Sequence, residues 1–189
     1  MNWDQVLPYI IAAFPSVLVA VISMMQVYKI NRNNFKKDKN KVEIGRLEEK
    51  LQKFYYPYLV IARKNTVIYK IFSKKYLEED TNYRTLISLL SGFKFNGNDK
   101  ALLDEIINND IKLNKLIMEK ADVIDDAKIR ELLIDSSTHY TVIELAYNGS
   151  LVGETERFYE FVHPNGVYEE VHKKVRELEA RIEELKNEQ

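Results

Sequence analysis

From Gln5 to Tyr28 the chain runs for 24 residues without a charge, QVLPYIIAAFPSVLVAVISMMQVY, and the next thirteen, KINRNNFKKDKNK, carry six bases. As a helix the uncharged stretch would be about 36 Å long, enough for a hydrocarbon core of about 30 Å with some tilt. Trp3, Tyr9 and Tyr28 lie near its ends, where amphipathic rings favour the interface. A cleavable signal peptide would start with bases and finish on small residues. This chain starts Met-Asn-Trp-Asp and leaves through Met-Met-Gln-Val-Tyr-Lys. The sequence therefore predicts a short extracytoplasmic N-terminus over 1–4, a single transmembrane helix over 5–28 and a basic juxtamembrane link over 29–41. The bases Lys29, Arg32, Lys36, Lys37, Lys39 and Lys41 stand on one side only. That bias places the N-terminus outside and the rest of the chain in the cytoplasm, at the plasma (inner) membrane. The same six bases would lie against anionic lipid headgroups.

Within the predicted span, Ala12, Ser16 and Ala20 recur every four residues, with Ser23 close to the same face. Small residues at that spacing let membrane helices approach and pack, so a homo-oligomer is expected.

Past residue 41 the charge balance reverses. The whole chain has 28 Lys and Arg against 29 Asp and Glu, leaving 22 bases and 27 acids for residues 42–189. An acidic remainder argues against a nucleic-acid partner, which requires a basic face. The chain has no cysteine, which excludes a disulfide framework, a thiolate nucleophile and a Cys-ligated metal.

Residues 42–166 read as a cytoplasmic helical bundle. Ile44, Leu47, Leu51, Phe54, Tyr58, Ile61, Ile68 and Phe72, with Asn65 in the same seam, follow one another in alternating steps of three and four. The stripe is broad, as on a helix packed in a bundle, and Asn65 is expected to set register. Pro57 should bend this helix or split it into 42–56 and 57–78. A short helix over 83–93 follows, then one over 100–121 with Asp99 as its N-cap. The next runs over 127–147, capped by Asp125 or Asp126 and stopped by Asn148-Gly149. A short helix is expected around 156–162. The last helix, 167–189, carries Val171, Val175, Leu178, Ile182 and Leu185 in a narrow seam, either a short coiled coil or a face docked on the bundle. The fold class is all-α.

No phosphate loop, nucleophile elbow or HExxH occurs, and His139, His163 and His172 have no metal-binding spacing. The reading assigns no catalytic residue, cofactor or metal. His139 alone is a candidate ligand or switch residue, since it falls in line with Leu132, Ile143 and Ala146 beside the core face.

The stretch Leu51-Gln-Lys-Phe54-Tyr55-Tyr56-Pro57, placed after one span and a basic flank, resembles small uncharacterised bacterial or prophage single-pass membrane proteins with an LxxFYxP-like stretch. The resemblance implies origin and topology and carries over no functional residue. Some proteins of this layout are suspected in phage defence.

The expected function is a non-enzymatic, membrane-anchored scaffold or adaptor with an unknown protein partner, met through the C-terminal helix. The alternatives are an oligomeric membrane-perturbing effector and an enzyme working through His139.

Overall fold

The computed structural model describes the backbone of residues 3–188 and the side chains of residues 18–188. Every regular element among them is helical. The order is α1 (Trp3–Lys50), a π turn (Leu51–Tyr55), α2 (Tyr56–Glu79), α3 (Thr85–Leu90), α4 (Gly97–Glu119), a 3-10 turn (Ala121–Val123), α5 (Ala127–Tyr147), a second 3-10 turn (Thr155–Phe158) and α6 (Val167–Asn187). Two compact units form: Met1–Arg46 with Arg181–Gln189, and Leu47–Ala180.

The expected span is not supported at this level. Among the described residues no helix is long and apolar enough to cross a membrane. Residues 5–17 of that stretch, with Ala12 and Ser16, lie outside the residues whose side chains are described. Ala20 and Ser23 are described, and both are exposed.

In the first unit the end of the tail is tied to α1. Ile44, Ile182 and Leu185 are buried. Asn40, also buried, donates its side-chain amide to the Leu185 carbonyl at 3.3 Å. Lys36 pairs with Glu188 at 3.0 Å, so one of the six expected headgroup cations already has an anionic partner.

In the second unit Pro57 stands at the start of α2, directly after the π turn, close to the division expected at 56/57. The π turn absorbs it: the Tyr56 N–H reaches the Leu51 carbonyl, five residues back. Pro57 has no N–H to give the carbonyl four residues earlier, and widening the preceding turn redistributes the acceptors. The extra residue changes the phase of the seam. Neighbours 100° apart on an α-helix rarely share a narrow face, yet Phe54 and Tyr55 are both fully buried, with Tyr58 beside them. Phe54 meets Tyr55 edge-on at 5.1 Å and stacks on Tyr58 at 5.7 Å.

Other boundaries move for local reasons. The helix expected over 83–93 is the shorter α3, ended where Gly92 takes a left-handed φ of 79°. Asp99 does not cap α4. That helix begins at Gly97, and Asp99 sits in its first turn, accepting from Tyr76 Oη at 2.6 Å and pairing with Lys75. Asp126 caps α5, taking the Ile129 N–H at 3.1 Å, while Asp125 pairs with Lys50 Nζ at 2.5 Å. Gly149, at φ 80°, stops α5 as the Asn-Gly pair predicts. The helix expected around 156–162 is only the 3-10 turn Thr155–Phe158.

Val171, Val175 and Leu178 of α6 are buried in this unit. Lys128–Glu170 at 2.5 Å, Lys174–Asp126 at 3.6 Å and a Tyr56–Glu179 hydrogen bond at 2.8 Å flank them. The tail seam is therefore consumed within the chain. The main core gathers Phe72, Leu86, Leu90, Phe95, Leu103, Ile106 and Ile143 from α2 to α5. Each such side chain, fully buried, contributes about 1.5–3 kcal/mol of transfer free energy.

Candidate functional site

α2, α4, α5 and the segment leading into α6 enclose a cavity of about 400 Å³ within the second unit. Its walls are mainly apolar, from Ala62, Leu103, Ile106, Leu113 and Ile143, and polar groups enter at a few points. That mixture, at that volume, is typical of small-ligand sites.

Asp110 is the first of those groups. α4 turns it inward because it lies at helical spacing from Ile106, Leu113 and Ile117, all buried. Asn65 on α2 donates its amide to Asp110 Oδ1 at 2.6 Å, and the buried Asn109 donates to Asn65 Oδ1 at 3.4 Å. Asn65 thus joins α2 to α4 through a polar contact within the apolar seam. Burial pushes the Asp110 carboxyl up to about 8, against a smaller downward pull from Asn65. Among the described residues no Lys, Arg or His is within ion-pair distance of it.

The second group is the pair His139 and His163. The sequence separates them by a helix end and a loop, yet their rings stand 5.2 Å apart at 89°. His139 stacks on Phe161 at 5.6 Å, and its Nδ1 is buried with no hydrogen-bond partner. Burial lowers its imidazole to about 4, with the neighbouring His163 and Arg84 acting in the same direction. Burial also lowers His163, whose Nε2 lies 3.4 Å from the Tyr140 hydroxyl. Burial raises Tyr58 to about 12 and raises Tyr140 as well. At neutral pH the cavity therefore presents a neutral carboxylic acid, neutral imidazoles and neutral phenols.

Arg84 supplies the charge that remains. Its guanidinium donates to the carbonyls of Phe158, at 3.3 Å, and of Tyr159 and Phe161, holding the 158–163 segment as the far wall.

Of the candidates read from the sequence, His139 alone reaches this cavity. The small residues Ala20 and Ser23 and the bases of 29–41 lie elsewhere on α1, and the α6 seam is core. Periodicity missed Asp110, although a lone acid in an otherwise apolar 3–4 pattern was a usable signal. Nothing in the sequence marked His163 beyond its place in a turn. Among the described residues no group of three or more His, Asp or Glu could hold a metal ion. No protein-family model, curated protein or solved structure matches the chain.

Proposed function

We propose that this chain is a non-enzymatic, membrane-anchored interaction protein. Residues 5–28 hold it in the inner membrane, the bases of 29–41 lie against anionic headgroups, and the helical domain faces the cytoplasm to meet a protein partner. One observation carries the reading. From Leu18 to Tyr28 α1 has no charge and every side chain is exposed, Met24 at 73%, Met25 at 68% and Tyr28 at 70%. A helix apolar on all sides is stable against lipid or beneath other helices, and among the described residues nothing covers this stretch. The Lys29–Lys41 flank supports the direction of insertion. Because the α6 seam is used internally, a partner would meet that helix through exposed charges such as Lys173, Arg176 and Glu177.

The absence of cysteine makes the test direct. Asn2→Cys should react with an impermeant maleimide in intact cells, and Asn148→Cys only after lysis. If both react only after lysis and alkaline carbonate extracts the protein, the anchor is wrong.

The exposure of Ala20 and Ser23 favours one second reading, an oligomeric membrane-perturbing effector, such as phage defence would use. Oxidative cross-linking through Ala20→Cys or Ser23→Cys, lost on Ser16→Leu, supports it. Monomers at every position count against it.

A further inference from the structure

We propose that the cavity of the helical domain is a binding site for a small organic cation, an amine whose ammonium group sits on Asp110 and whose apolar body lies against Leu103, Ile106 and Ile143. The inference goes beyond the anchoring role and does not depend on it.

Asp110 is 5% exposed and lines a cavity of about 400 Å³, within the range of pockets that bury small organic ligands. Its one described hydrogen bond, from Asn65, comes from a neutral amide. A carboxyl in such a place stays protonated or acquires a cation. Among the described residues none is in place: the groups facing Asp110 are Asn65 and Tyr58 from α2 and Tyr140 from α5, all uncharged at neutral pH. Tyrosine faces add a favourable surface for an ammonium group.

Arg84 decides the orientation. Its guanidinium donates to the Phe161 carbonyl, and the Phe161 ring stacks on His139, so its charge lies at the His139 end. A cation entering the cavity is repelled there and drawn to Asp110. A carboxylate ligand would instead be desolvated beside Asp110, and Arg84 already spends donors on three carbonyls.

Binding has a proton signature. Below about pH 8 the carboxyl releases its proton to solvent as the ammonium arrives. Affinity should therefore rise about tenfold per pH unit between pH 6 and 7 and level off above about 8.

The test is titration calorimetry on the full chain in dodecyl maltoside, with phenethylamine, the uncharged 2-phenylethanol and the anionic 3-phenylpropanoate. The expected result is phenethylamine at least tenfold tighter than 2-phenylethanol at pH 8, no binding of the acid, and about one proton released at pH 6.5. Asp110→Asn, close in shape and uncharged, should erase the amine preference and the pH dependence together. Equal binding of amine and alcohol, a preference that survives Asp110→Asn, a pH-independent affinity, or no binding of either probe at 10 mM each overturns the proposal. The pH series uses the unaltered chain, so it stands whether or not the variant folds.

Discussion

Asn65 on α2 and Asp110 on α4 meet at 2.6 Å, amide to carboxyl, at the wall of the cavity. The contact is specific and costly at once, because the carboxyl is buried with no counter-ion among the described residues.

Stability should record that cost. An unfolded Asp titrates near 3.9, and Asp110 in the fold near 8. Between those values the native state holds a proton that the unfolded state has lost, so this group makes the protein less stable as pH rises from about 4 to about 8. Asp110→Asn should match the parent near pH 4 and exceed it at pH 8, by up to about 5 kcal/mol if the whole shift is expressed as stability. Urea unfolding in detergent at the two pH values reads the difference.

His139 acts in the opposite sense. Its imidazole is held near 4 in the fold against about 6.5 unfolded, so stability is full above about 6.5 and is lost as pH falls toward 4. His139→Phe keeps a ring on Phe161 and removes the titration. Its melting temperature should drop less than the parent's between pH 7 and pH 5. His163, also lowered, leaves a smaller slope of the same sign in both proteins.

The π turn buries the Tyr55 hydroxyl with no hydrogen-bond partner. Tyr55→Phe should raise stability by about 1 kcal/mol, since a buried polar group without a partner is worth less than none. Phe54→Ala, one position away and equally buried, should cost about 3–5 kcal/mol. Thermal melts of the two variants should move in opposite directions.

Leu178 distinguishes a seam used within the chain from one shared between chains. It is buried in α6, so Leu178→Ala should cost about 2–4 kcal/mol. The unfolding midpoint of parent and variant should not depend on protein concentration, as it would for a dimer seam.

Helices were legible wherever apolar spacing is regular: α4, α5 and α6 fall close to where Leu103, Ile143 and Val171 place them. Asp126 was legible as a cap because its chemistry is local. The π turn was not, since Pro57 states only that a hydrogen bond is missing and tertiary packing of Phe54 and Tyr55 decides how the helix compensates. The same limit applies to the cavity. Asp110 and Asn65 are 45 positions apart, and His139 and His163 are 24 apart across a glycine-rich segment. Periodicity assigns each to a face but does not pair faces. The internal use of the α6 seam likewise depends on Asn40, Lys128 and Tyr56, residues with nothing in the sequence to link them to the tail.

The segment from Gly149 to Gly166 has one short turn of its own and is hung on Arg84 through three backbone oxygens. The Gly153 N–H on the Leu90 carbonyl at 2.8 Å and the packing of Leu151, Phe158 and Phe161 on the core add to those bonds, so the segment is held at scattered points rather than by a ladder of repeating bonds. Amides from 155 to 163 should open together, at a lower free energy than those of α4 or α5, and exchange with solvent as one cooperative block. Val162 and His163, which line the cavity, belong to that block, so one wall of the cavity and this segment share a single opening equilibrium.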